Sequence, residues 1–274
     1  MLMNVKSEDF FSIFVLVALI ITAAVLGVLF PEQAAPESDA AQTEKTELTA
    51  PPEPDGEYST DELNIEIQLD AQGNARVSET YTLSFTGGVF SEFARSYPLV
   101  DCFRQDWAAY IDDEPLSVIE VPDESRPEGC AAVYENEESA EVELYHRSAD
   151  QKRRFTIEYT AYDAVTIFND TAEFCWTLKS EDEENAIPLI TATLLFPETQ
   201  DVLLSAAEYN AWLHTPLGGS VTMEDDYAEF SMSGVEHNAG ADIRLALPTR
   251  LFPDAGVIEN SDAAARIAAE EMRR

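Results

Sequence analysis

The sequence predicts an all-β protein, an antiparallel β-sandwich of immunoglobulin-like or related type, behind an N-terminal transmembrane helix. From Leu63 onward, apolar and polar residues alternate in short runs. Because successive side chains of a strand point to opposite faces, such runs indicate half-buried strands. Gly, Pro, Asn and Asp separate most of the runs, and no long helices alternate with them. Strands of this length and spacing are typical of a sandwich.

The composition is strongly acidic. The chain has 274 residues and a formal charge of -37, from 53 acids and 16 bases. Such a surface repels nucleic acid, so nucleic acid is excluded as an expected partner. Two explanations of the acidity remain open. We favour a solvated surface that keeps an exported protein soluble; the other is a surface that binds divalent cations through carboxylate oxygens.

An apolar run covers residues 10–30 and contains neither a charge nor a proline. As a helix it would span about 31 Å, close to the thickness of a hydrocarbon core. The run is longer than a typical signal-peptide core, which favours an uncleaved anchor over a cleaved signal peptide. Lys6 in residues 1–9 favours a cytoplasmic N-terminus. We therefore expect a single-pass protein of the cell membrane whose main domain is extracytoplasmic.

Three segments follow the anchor. Residues 31–58 are acidic and rich in Pro and Ala, which is typical of an extended linker. Residues 59–253 form the predicted β-sandwich domain. Residues 254–274 form a C-terminal segment in which Asn260 or Ser261 would cap a short helix over Asp262–Arg274.

The domain opens on a hairpin, because Leu63–Leu69 and Val77–Phe85 alternate around a turn at residues 70–74. Gly87–Leu99 is predicted to be a loop and Ala206–Leu213 a short helix. The other predicted strands are Trp107–Ile111, Leu116–Val121, Ala140–Arg147, Leu189–Phe196, Val202–Ser205, Ser220–Met223, Tyr227–Met232 and Ile243–Leu247, of which the first two form a hairpin around Asp112–Pro115.

Outside the N-terminal segment, two further runs, 155–161 and 172–178, bring together the largest apolar side chains of any short window. The second run carries Phe174 and Trp176, which are candidates for the centre of the core. The turn-forming residues 169–171 lie between the runs. They predict that the second run returns as a neighbouring strand of the first.

Three cysteines, Cys102, Cys130 and Cys175, are spaced too widely for a structural zinc site. Three disulfide pairings are open in an extracytoplasmic domain. We expect Cys102 to pair with Cys130, since both lie in loop-like sequence. Cys175 lies inside a predicted strand and would remain a thiol.

Four stretches carry a family resemblance. They are the hairpin NIEIQLDAQGNARVSETYTLSF, the loop FARSYPL, the pair FTIEYTAYDAVTIFNDTAEFCW and the closing IRLALPTRLFP. With them, Leu63–Pro253 resembles the extracytoplasmic domain of predicted membrane proteins known as domain of unknown function 2207. The resemblance implies an N-terminal signal or anchor, and transmembrane helices that usually follow the domain. It implies no activity.

Motifs of known enzymes are absent from the sequence. It contains no HExxH, no G-x-S-x-G, no P-loop and no G-x-G-x-x-G. The three histidines, His146, His214 and His237, are scattered over different predicted elements, and we expect surface or loop positions for them. We therefore predict no catalytic residues, no metal ligands and no cofactor, and we expect that the chain is not an enzyme.

Four residues form the candidate interaction or structural site: Arg95, Asp170, Glu173 and Trp176. Asp170 and Glu173 flank an aromatic strand, where they could act as an acid/base or calcium pair. The alternative, which we favour, is that Asp170 bonds turn amides and Glu173 pairs with Arg95, Arg153 or Arg154. For Arg95, internal pairing is favoured over binding of an anionic ligand.

The sequence thus favours a non-catalytic binding, sensing or scaffolding module of the cell envelope. Its expected partners are the membrane, through the N-terminal helix, and other envelope proteins or polymers. Two alternatives are a calcium-dependent adhesion or carbohydrate-binding module and a hydrolase that uses Asp170 and Glu173.

Overall fold

The computed structural model describes residues 56–99, 103–119, 127–136, 138–183, 185–197 and 204–274. The predicted transmembrane helix and nearly all of the predicted linker lie outside these residues, and so does Cys102. Within the described ranges, no helix is long and apolar enough to cross a membrane.

The described residues are mostly β-structure, with one α-helix near the end of the chain. The strands are β1 (Glu57–Leu69), β2 (Ala75–Thr86), β3 (Phe90–Pro98), β4 (Phe103–Ile111), β5 (Glu114–Pro115), β6 (Ser117–Ile119), β7 (Cys130–Glu135), β8 (Ser139–Ser148), β9 (Lys152–Tyr162), β10 (Val165–Ile167), β11 (Ala172–Lys179), β12 (Ile187–Leu195), β13 (Asn210–His214), β14 (Ser220–Met223), β15 (Tyr227–Val235) and β16 (Ala241–Leu247). The helix α1 covers Ala264–Glu271, and single 3-10 turns cover Ala206–Glu208 and Thr249–Leu251.

The strands form three sheets. The eight-stranded sheet has the order β14-β15-β12-β1-β2-β9-β4-β5. The second has the order β10-β11-β16-β13 and is called the Trp176 sheet below; the third, the Arg95 sheet, has the order β3-β8-β7-β6. Most pairs are antiparallel, but β1 pairs with β12 and β6 pairs with β7 in parallel. The prediction of purely antiparallel sheets is wrong at these two pairs.

The inner faces of all three sheets contribute to one hydrophobic core. The opening hairpin is confirmed as β1 and β2, and the alternate residues of β1 from Leu63 to Leu69 are at most 1% exposed. Ring contacts join the eight-stranded sheet to the other two. Tyr81 lies 5.2 Å from Phe93 of the Arg95 sheet, and Tyr159 lies 6.4 Å from Trp176, between ring centroids.

The predicted loop Gly87–Leu99 is wrong over most of its length, because Phe90–Pro98 forms β3. Phe93 and Tyr97 point into the core from this strand. They are separated by an even number of positions, so they lie on the same face of the strand. Arg95 lies between them on the same face, so the apolar alternation is interrupted in the sequence.

The two aromatic runs are strands, but they are not neighbours in one sheet as predicted. β9 lies in the eight-stranded sheet and β11 in the Trp176 sheet. The turn at residues 169–171 instead joins β11 to the short strand β10, with which β11 pairs. The intervening chain therefore crosses from one sheet to the other, so that the aromatic faces of β9 and β11 meet across the core.

Two other local predictions fail. The predicted helix Ala206–Leu213 is a 3-10 turn followed by β13, whose residues pair with β16 along its full length. The predicted hairpin around Asp112–Pro115 begins with β4 and β5, which pair at two positions. The chain then leaves that sheet, and β6 pairs with β7. Sheet pairing thus overrides the local pattern in both places.

The predicted C-terminal helix is present, but it is shorter than expected. Before the helix, the chain runs beside β10: Ile167 N–H donates to Val257 O at 3.0 Å and Glu259 N–H donates to Ile167 O at 2.7 Å. The first residue with helical structure follows Ala263, so neither Asn260 nor Ser261 is the cap. The C-terminal segment (residues 254–274) is therefore fastened to the Trp176 sheet before α1 begins.

Candidate functional site

The outer face of the Trp176 sheet carries the predicted acid Glu173. Alternation along β11 places Ala172, Phe174 and Trp176 in the core and Glu173 on the opposite face. Arg244 of β16 lies on the same outer face, beside β11. This placement brings a carboxylate and a guanidinium together on a surface that α1 covers.

Arg244 is the centre of an ion network that holds α1. Its Nε donates to Glu173 Oε1 at 2.7 Å, its Nη1 to Glu271 Oε1 at 2.8 Å and its Nη2 to Glu270 Oε2 at 2.8 Å. The Arg244 side chain is 9% exposed. Arg266 of α1 approaches the other Glu173 oxygen at 3.5 Å. One guanidinium thus connects a strand carboxylate to two carboxylates of the helix, which we call the Arg244 cluster.

His214 of β13 extends this network. Its Nε2 lies 2.6 Å from Glu271 Oε2, and its Nδ1 lies 2.8 Å from Arg274 Nη1. Because an arginine can only donate, Nδ1 accepts and Nε2 donates to Glu271. Histidine therefore acts as a bridge between the sheet and the helix rather than as an isolated surface residue.

Asp170 caps α1 from a distant part of the chain. Its Oδ1 accepts hydrogen bonds from the backbone N–H groups of Ala263 at 2.8 Å and Ala264 at 3.2 Å. The first N–H groups of a helix have no partner within the helix, and a carboxylate there also interacts favourably with the helix dipole. The sequence predicts that Asp170 bonds turn amides, whereas in the structure its oxygens accept from the amides at the start of the helix.

The pKa shifts agree with these contacts. The backbone N–H of Ala263, followed by that of Ala264, lowers the pKa of Asp170. Hydrogen bonds from Arg244 and Arg266 lower the pKa of Glu270. Burial would raise the pKa of Glu271, but hydrogen bonds from His214 and Arg244 outweigh it and lower the pKa. The contacts between the helix and the sheet therefore stabilise the charged form of all three carboxylates.

The structure does not bring the four predicted site residues together. Glu173 pairs with Arg244 and Arg266, so its predicted pairing with Arg95, Arg153 or Arg154 is wrong. Arg95 instead forms two hydrogen bonds to Glu183, at 2.6 and 2.9 Å. Trp176 is 8% exposed in the core. The internal pairing expected for Arg95 is present, with Glu183 as its partner.

Glu183 belongs to an acidic run at residues 181–184 of the sequence. Its side chain is only 8% exposed because it binds Arg95. The Glu183 carbonyl also accepts from the buried ammonium of Lys179 at 3.2 Å. The carbonyls of Ser180 and Ala239 accept from the same Nζ, and burial lowers the pKa of Lys179. These contacts fasten the chain after β11.

A second polar cluster, which was not predicted from the sequence, lies in the core. Glu79 of β2 is 7% exposed, and its carboxylate accepts hydrogen bonds from the hydroxyls of Tyr81 at 2.8 Å, Tyr97 at 3.0 Å and Tyr159 at 2.7 Å. Burial, reinforced by the nearby Glu79 charge, raises the pKa of Tyr97 and Tyr159 well above the ordinary value. These tyrosines remain protonated donors. We call this group the Glu79 cluster.

The alternation of β2 contained a signal for this cluster. Glu79 occupies the same parity as Val77 and Tyr81, which makes it an inward-facing carboxylate. A charged group in such a position must find hydrogen-bond partners. The identity of those partners could not be read from the pattern, because Tyr97 and Tyr159 come from two other strands.

An open groove of about 380 Å³ lies at the edge of α1. Its lining residues are Asp170, Thr171, Glu208, Asn210, Trp212, Ala246, Leu247, Pro248, Arg250, Ala264 and Ala268. Three small side chains, those of Ala246, Ala264 and Ala268, leave space between the sheet and the helix. The groove is therefore a product of the helix docking.

The charged side chains that line the groove, those of Asp170, Glu208 and Arg250, already have partners. Glu208 pairs with Arg250 at 2.6 Å and also accepts from the backbone N–H of Ser205 at 3.0 Å. Asp170 accepts a hydrogen bond from a backbone amide at the start of the helix. Among the described residues, neither the Asn210 amide nor the Trp212 indole N–H forms a side-chain hydrogen bond, and the Trp212 ring stacks on no other ring.

The remaining candidates for reactive groups are the cysteines and His146. Partial burial and then the Glu173 charge raise the pKa of Cys175 to about 11, so this thiol is protonated at neutral pH. His146 lies in the core, contrary to expectation, where burial lowers its pKa to about 4. Cys130 begins β7 rather than lying in a loop, and its disulfide with Cys102 stays a prediction. No group of three or more metal-ligating side chains is found in the described part of the chain.

These features define a mostly-β domain that uses its predicted acid pair to hold its own C-terminal helix. The chain belongs to the family described as predicted membrane protein (DUF2207), N-terminal domain, whose model matches residues 59–247. The resemblance stated from the sequence is thereby confirmed, and with it the assignment to membrane proteins. No curated protein matches the chain.

Several solved structures are distantly similar. Leukotriene A4 hydrolase from Saccharomyces cerevisiae has a TM-score of 0.44 and 12% identity, over 69% of this chain and 29% of that one. A putative nutrient binding protein from Legionella pneumophila has a TM-score of 0.39 and 11% identity, over 69% and 66%. An M1 zinc metallopeptidase from Deinococcus radiodurans has a TM-score of 0.36 and 9% identity, over 68% and 42%. The chain thus spans less than half the length of the metallopeptidase.

Proposed function

We propose that the chain is a single-pass, extracytoplasmic binding or scaffolding module of the cell envelope, with an immunoglobulin-like or related sandwich, and that it is not an enzyme. The observation that carries this proposal is the use of Asp170 and Glu173. Their oxygens bind helix amides and arginines. A general acid or base needs a free oxygen that a substrate can reach.

The groove beside α1 is the binding site that we propose for this module. Its volume falls in the range of small-ligand sites, and its lining combines polar and apolar side chains. Asn210 and Trp212, whose side chains form no hydrogen bond among the described residues, line it together with the paired Glu208 and Arg250.

Site-specific photocrosslinking in native membranes tests this function. A benzoylphenylalanine is placed at Arg250, on the rim of the groove, and a matched one at Glu66, an exposed residue of the eight-stranded sheet. We expect discrete envelope adducts from position 250 and none from position 66. Equal adducts from both positions, or none from position 250, would contradict a binding function of the groove.

A topology experiment tests the extracytoplasmic assignment separately. Alkaline phosphatase, which is active only outside the cytoplasm, is fused after residue 274 of the full chain, and a green fluorescent protein fusion serves as the reciprocal control. We expect phosphatase activity without fluorescence. Fluorescence without phosphatase activity would place the domain in the cytoplasm and reject the proposed orientation.

A further inference from the structure

The groove between α1 and the Trp176 sheet has a chemistry that selects a class of ligand. We propose that it binds a neutral carbohydrate, a mono- or disaccharide unit of an envelope polymer, without calcium. This inference deepens the proposed function, on which it rests. It follows from the charges, the free hydrogen-bonding groups and the aromatic side chain of the groove.

The partners that the charged side chains of the groove already have disfavour ionic ligands. Glu208 is neutralised by Arg250, and Asp170 is engaged by the amides of Ala263 and Ala264. Among the described lining residues, each carboxylate and the arginine already have a partner, so a charged ligand would have to compete with it. The formal charge of -37 also opposes anions over longer distances. A neutral polar ligand requires no counter-charge.

The free hydrogen-bonding groups match hydroxyls. The Asn210 side chain offers two donors and an acceptor, and the Trp212 indole offers one donor. Among the described residues neither has a side-chain partner. A hydroxyl both donates and accepts, so a sugar satisfies both residues. Arg250 has further N–H groups beyond the one that binds Glu208.

The Trp212 ring supplies the apolar contact that a sugar also needs. The face of an aromatic ring is negative and attracts the weakly positive C–H groups of a pyranose face. The small residues Ala246, Ala264 and Ala268 leave room beside this ring. The groove is open to solvent, so we expect weak binding, with a Kd of about 1 mM.

The test uses the full chain labelled with 5-fluorotryptophan, in lipid nanodiscs so that no sugar-headed detergent competes. The chain has three tryptophans, and the Trp212 signal is the one that Trp212→Phe removes. Maltose, lactose and diacetylchitobiose are titrated in the presence of a calcium chelator, with choline chloride and sodium glucuronate as charged probes. We expect at least one neutral sugar to shift the Trp212 signal saturably, without shifting those of Trp107 and Trp176.

Two variants localise the effect. Ala268→Phe places a large side chain at a half-buried residue of α1 that lines the groove, and it should abolish the response. Asn210→Ala removes hydrogen bonds to the ligand and should weaken binding by about fivefold. Unchanged Trp107 and Trp176 signals in each variant show that the fold is intact.

Three outcomes overturn the inference: no neutral sugar shifts Trp212, choline or glucuronate shifts it as strongly, or Ala268→Phe leaves the response unchanged. If the groove crosslinks to an envelope protein and none of the sugars bind, the carbohydrate inference fails and the binding function stands. If neither the sugars nor the crosslinker gives a signal, both fail.

Discussion

The Glu79 cluster in the core and the Arg244 cluster on the outer face are opposite solutions to one problem. Each places a single charged group among three partners. In the core the hydrogen-bond donors to the acid Glu79 are neutral tyrosine hydroxyls. On the outer face the hydrogen-bond acceptors of the base Arg244 are charged carboxylates. Solvent access determines whether a charged side chain is paired with neutral or with charged partners.

In the core, every additional ion would have to lose its hydration, which costs more than a neutral donor does. Three hydroxyls satisfy one carboxylate without adding charge. On the outer face, water still reaches Glu270, whose side chain is 38% exposed, so ions are tolerated there. We therefore expect the Glu79 cluster to stabilise the whole domain and the Arg244 cluster to stabilise mainly the attachment of α1.

The largest expected effect comes from Glu79→Ala. It leaves the hydroxyls of Tyr81, Tyr97 and Tyr159 without their acceptor inside the core and creates a cavity. We expect a loss of about 3–5 kcal/mol in the free energy of unfolding. Chemical denaturation of the full chain measures it. Glu79→Gln retains an acceptor and should cost less, and a loss below about 1 kcal/mol in Glu79→Ala would contradict a structural role of the cluster.

The next largest effect is expected from Arg244→Ala. Without this guanidinium, Glu173, Glu270 and Glu271 lose their shared partner and keep Arg266 and His214. The docking of α1 should therefore weaken by about 2 kcal/mol. Hydrogen exchange should accelerate in residues 264–271 and remain unchanged in β1 and β2. Arg244→Lys keeps the charge but loses the planar fork. Its exchange rate in residues 264–271 should therefore lie between those of the unaltered chain and Arg244→Ala. Acceleration throughout the domain would remove the distinction between the clusters.

Acidification should release α1. The pKa values of Asp170, Glu270 and Glu271 are lowered in the folded state. Their stabilisation is therefore complete above the ordinary pKa values of 3.8 and 4.5 and is lost as the pH falls through the lowered values. We expect exchange in residues 264–271, corrected for its intrinsic pH dependence, to increase below about pH 4.5.

The groups facing these carboxylates set the control for this experiment. They are Arg244 and His214 of the sheet, Arg266 and Arg274 of the C-terminal segment, and the acid Glu173. Glu271→Gln removes one titrating carboxylate, so it should reduce the steepness of the pH dependence. An unchanged profile in this variant would show that Glu271 does not contribute to the release.

The smallest effect is expected from Arg154→Ala. Arg154 pairs with Asp113, but the two side chains are 51% and 73% exposed. Exposed pairs contribute little because water and salt screen them. We expect a change within about 0.5 kcal/mol in the free energy of unfolding. A loss comparable to that of Arg244→Ala would show that burial does not rank the ion pairs of this domain.

The strands were predictable where one face is apolar without interruption. β1, β2, β9 and β11 follow from alternation, because each contributes large apolar side chains to the core. β3 was not recognised because Arg95 occupies a core-facing position between Phe93 and Tyr97. β13 is predicted as part of a helix because its partner, β16, comes about thirty positions later in the chain. Pairing between distant segments has no local signal.

The candidate site was predictable in its residues but not in its contacts. The turn chemistry at Asp170 correctly indicated a group that accepts amide hydrogens. The amides belong to Ala263 and Ala264, 93 and 94 positions away in the chain. Likewise Glu173 pairs with an arginine, but with Arg244, which lies between two apolar residues of β16 and gave no sign of an outward role. Sheet order determines these partners.

The central claim is that Asp170 and Glu173 hold the C-terminal helix. Its most direct test is hydrogen exchange of the full chain carrying Asp170→Asn together with Glu173→Gln, at neutral pH, compared with the unaltered chain and with Arg154→Ala. The account predicts faster exchange across residues 264–271 and unchanged protection of β11 and β16. Unchanged exchange in residues 264–271 would contradict it, because these carboxylates would then have no part in holding the helix.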